Sequence, residues 1–163
     1  MVYGYMRDKY QRPVVFYDLR KFVDSGIEAE DLVRMLNFFT AYNIYNALVR
    51  GQVETITYVL DARGVSLYEL PVALFGELQK HGLAYFKQCM FSFDIIGAPW
   101  IIRVAFNSLS SVFDKFSRHK FNFQGNDWQS VLAEKIGKEN LEVRYGGDLP
   151  NYDFAYFPPR FNP

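Results

Sequence analysis

Four times along this chain a short apolar stretch of strand character is followed, past a turn, by a stretch with the period of a helix. "RPVVFYDL" (Arg12–Leu19) places β-branched and aromatic residues after a proline, which suits a strand that starts on Pro. It leads to "EAEDLVRMLNFFTAYNIYNALVRG" (Glu28–Gly51), with acids in the first turn and Arg50-Gly51 as a stop signal. Leu32, Met35, Leu36, Phe39 and Tyr42 mark one helical face there. "VETITYVLDARG" (Val53–Gly64) is a second strand closed by an Asp-x-x-Gly turn, and Leu67–Phe86 is helical with a break, Pro71 fitting a first turn and His81-Gly82 an end. "MFSFDII" (Met90–Ile96) precedes the helix "PWIIRVAFNSLSSVF", and "KFNF" (Lys120–Phe123) precedes a helix that starts at Asn126 or Asp127 and ends at Gly137. Strands alternating with helices predict an α/β fold with a mainly parallel sheet. The last residues, "DLPNYDFAYFPPRFNP", hold four of the seven prolines and read as an aromatic arm over 149–163, after a single domain over 1–148.

The helix after Pro99 is the unusual one. On a helical wheel, Arg103, Asn107, Ser110 and Asp114 share one narrow side, while Ile102, Phe106, Leu109 and Phe113 form an apolar stripe. Ile101, Ala105 and Val112 carry apolar surface round to the back. A surface helix needs a single stripe of somewhat over 100°, so this one must meet apolar material on two sides. A fully buried helix and a lid over a hydrophobic ligand both satisfy that pattern. Aromatic residues make up 18% of the chain, which is consistent with either.

Charge and motifs narrow the function. Lys+Arg and Asp+Glu are 18 each, so the basic excess of a nucleic-acid binder is missing. The single cysteine, Cys89, fits a reducing compartment and reads as a small packing residue. The start "MVYGYMRDKYQRP" has charges where a signal peptide needs an apolar core, and Asp94, Pro99 and Arg103 interrupt the most apolar run, so a soluble cytoplasmic protein is expected. "GVSLY" (Gly64–Tyr68) lacks the second glycine of a nucleophile elbow, and no phosphate-binding glycine loop occurs. His81 and His119 do not combine with Cys89 at metal-ligand spacing, and Glu28/Glu30 read as a solvated helix start. Neither an enzyme, a metal nor a cofactor is expected.

The order of these pieces resembles the CRAL-TRIO (Sec14-like) lipid-binding family over about Arg12–Gly147. "RPVVFYDL" resembles its opening strand, "VLDARGVS" its Asp-x-x-Gly strand end, and "FDIIGAPWII" its strand, Asn-Ala-Pro turn and gate helix. "DKFSRHKF" stands where the family has a Thr-x-x-Lys element, and "ENLEVRYGG" is similar to its closing motif. The resemblance implies a sheet flooring an apolar lipid pocket, helices around it, and a movable gate formed by the helix after Pro99. Ile102, Phe106, Leu109 and Phe113 would then line the pocket and gate. Ser117 stands for the family's threonine and Lys120 for its lysine, so both would meet a phosphate, with Asp114 orienting Lys120. The alternative for Lys120 is a solvated place in a basic cluster with Lys115, Arg118 and His119. Ser66 would donate to a lipid phosphate or cap the helix that follows.

Two departures carry consequences. Gln88 and Cys89, in "YFKQCM", replace the glutamate and arginine of the family's Tyr-Pro-Glu-Arg element, which implies poorer inositol selectivity than a full-motif member has. The family's N-terminal helical domain finds no room before Tyr3, so a protein partner or second chain could stand in for it. The expected function is to bind a phospholipid, phosphatidylinositol or phosphatidylcholine, or a similar hydrophobe, and to transfer it at a transiently contacted membrane surface. The alternative is a regulatory interaction module of the same fold that has lost lipid exchange.

Overall fold

The computed structural model describes residues 2–69, 77, 88–108 and 118–152. Its frame is one five-stranded sheet whose spatial order follows the chain: β1 (Val2–Arg7), β2 (Pro13–Asp18), β3 (Ile56–Asp61), β4 (Met90–Ile96) and β5 (Phe121–Phe123). β1 pairs antiparallel with β2, and the pairs β2–β3, β3–β4 and β4–β5 are parallel. The expected mainly parallel α/β sheet is therefore present. Consecutive parallel neighbours joined by right-handed crossovers must carry every crossover on the same face. So α1 (Leu19–Ser25), α2 (Ala29–Asn46) and α3 (Trp100–Ser108) contribute to one apolar cluster with Val15, Tyr17, Tyr58 and Ile95. The opposite face, with Val14, Phe16, Val59 and Ile96, is covered by α4 (Trp128–Ile136) and the closing segment through Leu141 and Tyr145.

Local chemistry sets the boundaries. β2 starts on Pro13, whose missing N–H lies at the first position of the strand. α1 was not anticipated; the Asp18 carboxylate caps it by accepting the Lys21 N–H at 2.9 Å, and left-handed Gly26 ends it. β1 was also not anticipated, because only its pairing with β2 marks it. α2 ends at Asn46 rather than at Arg50-Gly51. Those two residues instead turn a tight loop in which Val49 and Val53 exchange N–H···O bonds of 2.8 Å each, with Gly51 at φ +76°. Val53 is used there, so β3 begins only at Ile56. Asp127 is the cap position of α4, but its side chain makes no capping bond; its carbonyl accepts from Ser130 at 2.9 Å and Val131 at 3.2 Å.

Two buried charges hold the sheet. Asp94, fully buried on β4, takes Lys135 Nζ of α4 at 2.6 Å, Gln124 Nε2 at 2.8 Å, Ser92 Oγ at 3.0 Å and Asn122 Nδ2 at 3.3 Å. Asp8 pairs with Arg12 at 3.1 Å and accepts from the Thr57 hydroxyl at 2.9 Å, which locks the β1–β2 connection onto β3. A buried carboxylate persists only when paired and hydrogen-bonded in this way.

Candidate functional site

The face under α3 is floored by aromatic rings contributed one per strand. Tyr17 on β2 stacks on Tyr58 of β3 at 5.8 Å, Tyr58 on Phe93 of β4 at 5.8 Å, and Phe93 meets Phe121 of β5 at 5.2 Å. Register aligns Tyr58, Phe93 and Phe121 across β3, β4 and β5, while Tyr17, which pairs with Leu60, stacks on Phe93 as well at 5.9 Å, so that Tyr17, Tyr58 and Phe93 form a three-ring cluster. Tyr17 and Tyr58 are buried, whereas Phe93, Phe121 and Phe123 remain half-buried. The floor is thus sealed beneath α2 and less covered beneath α3.

α3 starts from a turn that only a narrow choice of residues allows. Gly97 sits at φ +65°, and a Cβ on it would lie 2.2 Å from Arg63 Cγ. In the described part of the helix Ile102 is buried in the floor cluster and Ile101 packs against it, while Trp100 is 73% and Val104 48% exposed. The fully buried alternative is therefore excluded for this part: one side faces the floor and the other faces water. Arg103 Nη2 reaches the Phe123 carbonyl at 3.3 Å and its guanidinium lies over the Phe123 ring. That bond ties α3 to β5 through an exposed, readily broken contact. Leu109, Phe113, Asp114 and Ser117 lie outside the described residues, and of Phe106 only the backbone is described.

The remaining predicted headgroup residues divide between the two ends of the strands. Lys120 and Gln88 come together at the amino-terminal edge, just before β5 and β4. Lys120 is half-buried and its ammonium donates to the Met90 carbonyl at 2.7 Å; Gln88 is exposed two residues before that carbonyl. Ser66 follows the carboxyl end of β3, at the opposite edge. Its N–H donates to Glu69 Oε2 at 2.8 Å, and Glu69 also accepts from Arg20 at 2.7 Å. The hydrogen bond from Arg20 is the main reason the Glu69 carboxyl is held at about 2. Cys89 is buried, and that burial pushes its thiol upward, as for a packing residue.

Arg63 was not singled out from the sequence. Its guanidinium grips Asp61 at 2.6 and 2.9 Å, donates to the Arg144 carbonyl at 3.2 Å, and lies over the Trp128 and Tyr145 rings. It thereby joins the Asp-x-x-Gly strand end, the Gly97 turn and the closing "ENLEVRYGG" segment. In that segment Gly147 is required by space, because a Cβ there would sit 2.1 Å from the Leu141 carbonyl oxygen. Beside this junction lies an open cleft of about 440 Å³, bordered by Pro99, Trp100, Arg103, Gln124, Asn126 and Trp128. Among the described residues no three His, Cys, Asp or Glu side chains gather as metal ligands, and no helix is long and apolar enough to cross a membrane.

This arrangement, a parallel sheet floored with aromatics beneath a helix launched from a Gly-Ala-Pro turn, agrees with the sequence comparison: a profile of the CRAL/TRIO domain matches residues 1–147. The chain belongs to the CRAL/TRIO domain family. That family is one of lipid-binding and lipid-transfer domains. The chain is 28% identical over 100 residues to the Sec14 cytosolic factor of Schizosaccharomyces pombe, covering 60% of this chain and 35% of that protein. To the SEC14 cytosolic factor of Eremothecium gossypii it is 31% identical over 97 residues, covering 58% and 32%. A CRAL-TRIO domain-containing protein of Saccharomyces cerevisiae is 27% identical and aligns with 91% of this chain and 53% of its own length. The crystal structure of Sfh5 superposes with a TM-score of 0.62 at 15% identity, over 90% of this chain and 54% of that one, which is a likeness of fold. The chain thus spans about a third to a half of the length of the curated relatives it matches, and about half of the Sfh5 chain.

Proposed function

We propose that this CRAL/TRIO domain holds one phospholipid, phosphatidylinositol or phosphatidylcholine, or a similar hydrophobe between the aromatic floor and α3, and exchanges it with a membrane that it contacts transiently. The observation that carries the reading is the two-sided character of α3. Ile102 is sunk in the floor cluster, Trp100 and Val104 face outward, and half-buried Phe93, Phe121 and Phe123 lie on the face that the helix covers. In this reading α3 lifts by breaking the exposed Arg103 contact with Phe123 and drawing Ile102 off the floor cluster, while the part of the core under α2 stays sealed. Nothing in this reading calls for bond-making chemistry; the domain acts as a cytoplasmic carrier.

The headgroup belongs at the amino-terminal strand edge in this reading. Lys120 supplies a positive charge for phosphate there, the family resemblance assigns Ser117 and Asp114 to the same task, and Gln88 stands where a full-motif member has an acid. Ser66, at the other edge, would touch a phosphate only of a lipid bound the other way round. The test is organic extraction of the purified protein followed by mass spectrometry. A single lipid class near one molecule per chain is the expected result. A protein recovered empty, with no uptake from vesicles, would defeat lipid carriage and favour an interaction module.

A further inference from the structure

α2 is apolar on two sides. Its inner face buries Leu32, Val33, Leu36 and Phe39 in the core. About 130° round the helix, Met35, Phe38, Tyr42 and Tyr45 recur at alternating spacings of three and four, and Val49 in the loop beyond continues the series. Phe38 is 56% exposed, Tyr45 85% and Val49 45%, while Met35 and Tyr42 are half-buried. An apolar repeat averaging about 3.5 residues is the pattern of a seam between helices. At about 150–250 Å² for each aromatic side chain, Phe38 and Tyr45 alone leave roughly 300 Å² of side-chain surface in water. A contiguous apolar strip of that size with charges at its rim marks an interaction surface, and Tyr, Phe and Met are the residue types that such surfaces favour.

The charges at the two ends of the strip choose its occupant. Glu28, Glu30 and Asp31 are exposed at the amino end of α2, and Arg34, 2.6 Å from Glu30 and 3.5 Å from Asp31, offsets one of them. Arg50 is exposed past the other end, next to Val49. The acids count against an anionic membrane surface. They also make the strip complementary to itself. Laid antiparallel on a copy, it sets each acidic end beside the copy's Arg50, whereas a parallel arrangement sets acid against acid. A contact about a two-fold axis requires that self-complementarity.

We propose that the outer face of α2 is a contact with a second copy of this chain, the two helices crossing antiparallel about a two-fold axis near Tyr42. In this register Phe38 packs on the partner's Tyr45 at both ends of the contact, and Tyr42 meets the partner's Tyr42 at the axis. Glu30 and Asp31 come within reach of the partner's Arg50. The contact uses none of the α2 side chains buried in the core, so it leaves the aromatic floor as it is. From Met35 to Tyr45 the strip is only about 15 Å long. With its flanks it approaches the lower limit of stable interfaces, about 1,200 Å², so the dimer is weak, with a dissociation constant on the order of 100 µM.

The test is sedimentation equilibrium of the whole chain from about 5 to about 500 µM, with thermal melting to show that each variant is folded. Wild type should pass from monomer to dimer over that range. Tyr45→Ser changes an exposed position and leaves the core intact; it should raise the dissociation constant by about ten-fold or more. Arg50→Glu should weaken the dimer several-fold, and adding Asp31→Arg should restore it, because the swapped charges meet again only in the antiparallel register. Wild type that stays monomeric at the highest concentration, or Tyr45→Ser that dimerises as wild type does, would overturn the contact. Failure of Asp31→Arg to rescue Arg50→Glu would overturn the antiparallel register. A monomeric chain that floats with phosphatidylcholine vesicles, and loses that binding in Tyr45→Ser, would give the strip to a membrane instead.

Discussion

Replacing Trp100 by alanine should separate membrane contact from folding. A tryptophan side chain offers up to about 250 Å², and 73% of Trp100 is exposed; that leaves roughly 180 Å² to withdraw from water, or about 4.5 kcal/mol at about 25 cal/mol per Å². An indole at a bilayer interface stays partly wet, so about half of this is realised, near 2 kcal/mol or roughly thirty-fold in partitioning. Stability should change by no more than about 0.5 kcal/mol, because the side chain is on the surface. Ile102→Ala is the internal contrast: from two residues along the same helix it removes a core side chain and should cost about 2–4 kcal/mol of stability with little direct effect on membrane contact. The assay is flotation with neutral phosphatidylcholine vesicles at equal protein concentration, alongside urea unfolding of each variant. Trp100→Ala floating within two-fold of wild type would refute the assignment of the outer side of α3 to the bilayer.

Three further outcomes are expected. In competitive transfer of labelled phosphatidylinositol against phosphatidylcholine, Lys120→Ala should weaken the inositol lipid about ten- to a hundred-fold and Gln88→Glu should sharpen the preference for it; identical selectivity in all three proteins would show that the strand-edge headgroup site is not used. Lys135→Met strands the fully buried Asp94 carboxylate and should cost about 3 kcal/mol in urea unfolding, of which adding Asp94→Asn recovers more than half; equal losses in single and double variants would show that the carboxylate is not stranded by the loss of Lys135. Glu69 has a folded pKa near 2, below its ordinary value of 4.5, so its contact with Arg20 stabilises above about pH 4.5 and is lost as pH falls toward 2; Glu69→Gln should therefore differ slightly from wild type at pH 7 and match it at pH 2, and a gap that widens on acidification would contradict the sign.

What could be read from residue order alone was whatever repeats locally. The apolar runs of β2, β3 and β4 each carry their own period, and their alternation with helices implied parallel pairing before any partner was known. Ile102 was placed in the apolar stripe of its helix by the wheel alone, and it is buried. β1 escaped because "VYGYMR" has no period of its own and becomes a strand only by lying along β2. α1 escaped because seven residues give too weak a periodic signal, leaving the Asp18 cap as its one local mark. Arg50-Gly51 misled because a glycine after a cation closes a turn as readily as it ends a helix. The site's less obvious parts depend on register. That Tyr58, Phe93 and Phe121 align across three strands with Tyr17 stacked on the first two, that Asp94 faces Lys135 across 41 positions, and that Arg63 meets Arg144 across 81 are facts of pairing. A charged residue inside an apolar strand is the local clue to Asp94, and only its distant partner Lys135 turns that clue into a buried pair.

The strand order has a consequence for how the domain is made. Because spatial neighbours are sequence neighbours, each strand can add to the sheet as it leaves the ribosome, closing only its own crossover. The face beneath α2 and α3 is therefore assembled progressively from the amino terminus. The other face must wait, since Tyr3 meets the Tyr145 hydroxyl across 142 positions and Phe16 stacks on Tyr145. Until "ENLEVRYGG" has emerged, a nascent chain presents a nearly finished aromatic face backed by a bare one. Truncation within the closing segment should thus yield a product that collapses and aggregates through Val14, Phe16, Val59 and Ile96, rather than a domain that merely binds lipid less tightly.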